Sequence, residues 1–316
     1  MRRKFAAAMT AALIAGGAAA GTASADSPCG SFSSSLGKCV NSQLMIGGSS
    51  YSVDWYLPNA TATGLMLVQH GFARNCARQR NTSKAIMQKG LMVLCVNANM
   101  SGGNPTLGNA LGDLLTSRGF TAPGGKAIPT KYIVGGHSAG GHFASVVGAR
   151  LAANKYAGLR GAIMFDPVAS DGHGANLQAI SAGGTRPVLS VAARPSLINL
   201  FNNSFGDLRA LANTFVGVQL VWTGYTIFGP YGGSCHTDSE GDNGDAIGNI
   251  ASGCTPSTTQ TARLRDLSSN WASDLIKGTR TTAYWCTNSS NKASCGSKIT
   301  ALVGGKLPVS LLIAVD

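Results

Sequence analysis

The chain has 316 residues, of which 44% are hydrophobic and 12% charged, and its 25 lysines and arginines against 13 acids give a formal charge of +12. The cations are scattered, without the basic run or aromatic-basic module of a nucleic-acid binder, so that class is excluded. One substantial core fits a chain of this length, and no stretch after the leader has the roughly 18 uninterrupted apolar residues of a membrane span, so a soluble, monomeric product is expected.

Arg2-Arg3-Lys4, the apolar stretch from Phe5 to about Ala20 and the small residues Ala23-Ser24-Ala25 read as a secretory signal over 1–25. Residues 26–280 are then the main domain, and 281–316 an extension. Gln43–Ile46 and Tyr51–Leu57 predict an opening β-hairpin turning at Gly47-Gly48. Leu65–Val68 is all apolar, as a central strand buried on both faces must be. A helix over Ala77–Lys89, closed by Gly90, precedes a second such strand, Leu91–Val96. The alternation continues with a helix over Leu107–Thr116, a strand at Tyr132–Val134, a helix over Gly141–Leu151, and strands at Gly161–Phe165, Pro187–Ala192 and Val216–Trp222. Strands separated by helical segments require crossovers and a mostly parallel sheet flanked by helices, with the ligand site at the carboxyl ends of the strands. Leu264, Leu267, Trp271 and Leu275 recur at helical spacing and form a core-facing stripe that stops at Gly278.

Eight cysteines in an exported chain imply disulfides, and proximity pairs Cys29 with Cys39, Cys76 with Cys95, Cys235 with Cys254 and Cys286 with Cys295. The last pair makes the tail a disulfide-pinned appendage. Asp238, Glu240, Asp242 and Asp245 crowd one loop but lack the glycine and closing glutamate of a calcium loop, so the loop is read as acidic and solvated, with no metal. There is no dinucleotide fingerprint or phosphate loop, so no cofactor is expected.

Gly136-His137-Ser138-Ala139-Gly140 lies between a β-branched strand and an Ala-rich helix. A strand, a turn too tight for flanking side chains and a helix hold a serine hydroxyl exposed above a sheet, so Ser138 is the candidate nucleophile. A serine needs a histidine base oriented by a carboxylate. Of five histidines, His70 sits beside a tight turn, His137 points away from the hydroxyl and His142 lies along the following helix. His236, after the last strand, is the candidate base, with His173 its rival. The segment Ala193–Gly206, after the strand where such folds most often place the acid, is free of Asp and Glu. Asp166, ending the strand Gly161–Phe165, is the candidate acid, with Asp171 and Asp207 as alternatives. The amides of Phe72, after the first central strand, and Ala139, at the helix start, are the candidate oxyanion donors, with the Phe72 ring as one wall of the acyl pocket. Trp222, Tyr225, Phe228 and Tyr231 line a cleft or belong to the core.

His70-Gly71-Phe72, Gly136-His137-Ser138-Ala139-Gly140-Gly141, Phe165-Asp166-Pro167-Val168 and the late His236 together resemble the chlorophyllase-type and neighbouring cutinase- and lipase-like branches of the α/β-hydrolases, over roughly Gln43 to Lys277. In chlorophyllase-like enzymes the acid stands in an Asp-Pro-Val motif, which Asp166 matches. The resemblance implies a serine esterase that forms an acyl-enzyme on a hydrophobic ester. A secreted amidase or peptidase would use the same residues, and a non-catalytic surface protein would need none of them.

Overall fold

A two-residue strand, β1 (Ser33–Ser34), leads into a long hairpin of β2 (Gly37–Ile46) and β3 (Ser49–Pro58). Ile46 pairs with Ser49 across a two-residue turn in which Gly47 and Gly48 have φ of 58° and 83°. Successive left-handed residues match the twist of the flanking strands, and glycine adopts them at least cost.

The alternating part follows as β4 (Leu65–Gln69), α1 (Arg80–Met87), β5 (Met92–Val96), α2 (Pro105–Ser117), β6 (Tyr132–Ser138), α3 (Ala139–Ala153), β7 (Leu159–Pro167), α4 (His173–Ser181), β8 (Val188–Ala192), α5 (Phe205–Arg209) and β9 (Gly217–Gln219). A small hairpin, β10 (Gly224–Thr226) and β11 (Gly229–Tyr231), then α6 (Thr258–Lys277) and α7 (Ser297–Val303) complete the described elements. This computed structural model describes Cys29 and residues 32–211, 216–220, 224–226, 229–231, 234–242, 254–287 and 294–303. The leader, Trp222, Phe228, Asp245 and the end of the tail lie outside them, as do the side chains of Tyr225 and Tyr231.

The sheet has nine strands in the order β1-β2-β3-β5-β4-β6-β7-β8-β9. β3 pairs antiparallel with β5, and every pairing from β5 to β9 is parallel. Alternation along the strands explains their all-apolar sequences. Leu65, Leu67, Tyr132, Val134, Ala162 and Met164 face one core with Leu111, Phe143, Val147 and Leu177 from α2, α3 and α4. Met66, Val68, Ile133, Ile163 and Phe165 face the other, with Ile86 from α1 and Leu264, Leu267 and Trp271 from α6. Each face is covered, so both register positions are predominantly apolar.

Two elements differ from the sequence reading. α4 fills the crossover between β7 and β8, where no helix was predicted; its start, Gly172-His173-Gly174, hides the helical period that Leu177 and Ile180 carry. The helix predicted over Ala77–Lys89 is split into a 3-10 turn, Cys76–Gln79, and α1, with Gly90 at φ 87° behind it.

All four proximity disulfides are formed. Cys286–Cys295 closes the tail on itself, and other groups fasten it to the core. Tyr284, Trp285, Ile299 and Leu302 pack in the α6 layer. The buried Asp274 of α6 accepts from the Thr281 amide and Trp285 Nε1, each at 2.7 Å, and from the Thr279 and Thr281 hydroxyls at 3.0 and 2.9 Å.

Candidate active site

β6 ends at Ser138 and α3 begins at Ala139, with Ser138 at φ 56° and ψ −128°. A side-chain-bearing residue rarely adopts that conformation, and surrounding packing must enforce it. The enforcement is visible. A methyl group on Gly136 would strike the Gly140 carbonyl, and one on Gly140 would strike the carbonyls of His70 and Gln69. On Gly71 it would lie 2.9 Å from Ser138 Cβ, so the loop bearing Phe72 runs directly against Ser138. The Phe72 ring is 55% exposed there, and Ala139 opens the first turn of the 15-residue α3.

β7 lies beside β6 with Pro167 opposite Ser138, and the Val168 amide donates to the Ser138 carbonyl at 3.1 Å. Asp166 thus reaches the same sheet edge, buried and at φ 44°. Its Oδ2 accepts from His236 Nδ1 at 2.6 Å and from Asn199 Nδ2 at 3.0 Å. A carboxylate on Nδ1 fixes the proton there and leaves Nε2 as the basic nitrogen.

His236 opens a 3-10 turn, His236–Glu240, capped by Asp238, whose Oδ2 accepts from the Cys235 amide at 2.6 Å. Asp238 Oδ1 accepts from the Ser257 amide at 2.7 Å. His137, the neighbour of Ser138, points away from the hydroxyl and donates from Nε2 to the His236 carbonyl at 3.0 Å. Its ring lies 4.3 Å from the His236 ring, and its Nδ1 is 3.6 Å from Glu240 Oε1. Burial, then the His236 and Arg74 charges, hold His137 well below the usual imidazole range, so it is a neutral brace. Glu240 is itself gripped by Arg74, Nε to Oε1 and Nη2 to Oε2, both at 2.6 Å.

The acidic loop is therefore not solvated as the sequence suggested. Asp238 and Glu240 are fully buried, and Asp242 is bonded to the side chain of Asn81. The three carboxylates serve separate backbone, guanidinium and amide partners, because buried polar groups need hydrogen-bond partners. Among the described residues no three His, Cys, Asp or Glu side chains converge as a metal site would require.

The rival residues pair with each other. His173 Nδ1 lies 2.9 Å from Asp207 Oδ2, and the His173 ring is 5.7 Å from that of His142 on α3. Burial lowers His142 to about 4. His70 is buried, its Nδ1 on the Gly71 carbonyl at 2.9 Å. Asn199 was not anticipated. The loop after β8 is free of acids at its centre, and it delivers an amide to Asp166 instead. Three asparagines, Asn199, Asn202 and Asn203, in the segment where an acid usually stands were the available signal.

No protein-family model and no curated protein matches the chain. Among solved structures it is similar to a thermostable esterase from Pseudomonas putida, at 12% identity over 79% of this chain and 86% of that one, with a TM-score of 0.51. An esterase domain from Rhodothermus marinus aligns at 14% identity over 76% of this chain and 99% of that one, TM-score 0.51. Carboxyl esterase 2 from the fungus Tuber melanosporum aligns at 14% identity over 79% and 89%, TM-score 0.50. With its strand order, its strained serine turn and these likenesses, the chain has the α/β-hydrolase fold.

Proposed function

We propose that the chain is an exported carboxylic ester hydrolase acting through an acyl-enzyme on Ser138. The observation that carries this reading is the 2.6 Å bond from His236 Nδ1 to Asp166 Oδ2, beside a serine held in a strained strand-to-helix turn. His236 Nε2 takes the Ser138 proton as the hydroxyl attacks the ester carbonyl, then gives it to the departing alcohol. Asp166 keeps the imidazole in the Nδ1–H form and stabilises its positive charge. The Phe72 and Ala139 amides receive the oxyanion. Water, deprotonated by His236, then releases the acid.

Three similar solved structures are esterases, which supports ester over amide chemistry. A hydrophobic ester fits the exposed Phe72 at the site. Export is supported by the leader composition and four disulfides; no described helix is long and apolar enough to cross a membrane. On this reading residues 1–25 are removed, 26–280 are the catalytic unit and 281–316 an extension. The test is Ser138→Ala, which should abolish both nitrophenyl-ester hydrolysis and labelling by a fluorophosphonate. Retention of either refutes the assignment.

A further inference from the structure

Resting on that triad, we infer that Asn199 is a positioning residue: its side-chain amide holds the Asp166 carboxylate toward His236, and a carboxylate in its place would not serve. All four hydrogen-bonding positions of this amide are filled. Nδ2 donates to Asp166 Oδ2 at 3.0 Å and to the Arg194 carbonyl at 2.8 Å, while Oδ1 accepts from the Ser196 amide at 2.8 Å and the Asn202 amide at 3.2 Å. The residue is fully buried. An amide so saturated has one orientation, and its donor is aimed at one carboxylate oxygen.

The loop around it is built to present that donor. Leu200, Phe201 and Asn202 have φ of 50°, 54° and 57°, three successive left-handed residues that each cost conformational energy. Hydrophobic burial does not compensate, because Leu197 and Phe201 are 61% and 64% exposed and Leu200 is exposed as well. Polar bonds hold the loop instead. The Phe201 amide donates to Ser196 at 2.7 Å, and Asn202 Nδ2 donates to the Ala193 carbonyl at 3.2 Å. Asn203 exchanges two bonds of 2.9 Å with the backbone of Ala169, three residues beyond Asp166. The loop is thus fastened to the end of β8 through Ala193 and Arg194, and to the segment carrying the acid through Asn203 as well as Asn199.

The chemistry explains why the residue is an amide. Asp166 Oδ2 already takes the Nδ1–H of His236, and a neutral second donor steadies that oxygen while leaving the negative charge on Asp166. A carboxylate at 199 would set two acids at contact distance, where one holds a proton and the charge facing the imidazole changes with pH. The groups facing that imidazole are Asp166, His137 and, behind His137, Glu240 with Arg74. Asn199→Asp adds one more carboxylate to them.

Asn199→Asp is the discriminating variant, because it keeps the oxygen that accepts from Ser196 and Asn202 and loses the donor to Asp166. Asn199→Leu removes both. Nitrophenyl-ester turnover is measured against pH and normalised to sites titrated by a fluorophosphonate at long incubation, so lost folded protein does not count as lost turnover. The expected result is a kcat about ten- to a hundredfold lower in both variants with KM little changed, and an acid limb displaced by about one pH unit in Asn199→Asp alone. A per-site kcat within twofold of wild type, with the acid limb in place in Asn199→Asp, overturns the inference and leaves Asn199 a structural residue. Failure of wild-type protein to react with the fluorophosphonate would instead refute the triad itself.

Discussion

Arg74 and Glu240, 166 residues apart in the chain, face each other through two parallel hydrogen bonds of 2.6 Å. The glutamate is fully buried and the arginine mostly so. This pair fastens the turn that carries His236 to the loop that carries Phe72. Removing one partner of a buried pair leaves an uncompensated charge, which costs about 3 kcal/mol or more. Arg74→Ala should therefore lose that much in urea unfolding and lower turnover as well; a loss below about 1 kcal/mol would contradict the role given to the pair.

Asp166 and Asp207 each bind a histidine, and only the first bonds the histidine beside the serine turn. Asp166→Asn should reduce kcat by about 10⁴-fold, as the equivalent change does in a serine protease. Asp207→Asn should leave turnover within about twofold and affect stability alone. The reverse ranking in a nitrophenyl-acetate assay would move the triad to His173.

Burial pushes His70 down to about 4, from about 6.5 in an unfolded chain. Between those values the unfolded chain binds a proton that the folded one refuses. His70 therefore favours folding fully above about pH 6.5, and that stability is lost as pH falls, by on the order of 3 kcal/mol at pH 4. Buried Asp238 and Asp242, raised to about 6, act with the opposite sign, since the folded chain keeps protons that the unfolded chain has released. The wild-type profile is thus flattened by compensation. His70→Gln should expose it, losing less stability than wild type between pH 7 and 4 in parallel urea titrations; equal slopes would show that His70 titrates normally.

Gly140→Ala should eliminate activity, because its methyl group would meet two backbone carbonyls that have nowhere to move. Gly206→Ala, with open space around it and no left-handed φ, is the matched control and should be neutral. Expression level and nitrophenyl-ester turnover of the two proteins separate the outcomes.

Asp274→Ala should release the tail by removing the acceptor that four donors share, at a cost of about 2–4 kcal/mol. Trypsin cleavage at Lys298 should accelerate relative to wild type. An unchanged cleavage rate would mean that the packing of Trp285, Ile299 and Leu302 suffices by itself.

The central strands were legible because both faces are covered, which leaves Leu65–Val68 of β4, β5 and the start of β6 apolar throughout. The strand-end positions of Ser138 and Asp166 were legible because their neighbours in sequence, the flanking glycines and Pro167, also pack beside them. α4 was hidden by the glycines at its start. Asn199 was signalled only by the cluster of asparagines after β8, since its role depends on a loop whose shape arises from hydrogen bonds between groups that the sequence does not show to be close. Arg74 and Glu240 each look like surface charges until the chain brings them together, and the acidic loop was misread for the same reason.

The carbonyl of His236 is held by His137, the residue preceding Ser138. On the proposed roles, base and nucleophile are thus registered to one another through the His137 side chain. The serine hydroxyl plays no part in that registration, so the side chain at 138 is exchangeable without unseating the imidazole. On the proposed roles, cysteine or alanine at this position would change the chemistry of attack and leave the His137–His236 contact in place.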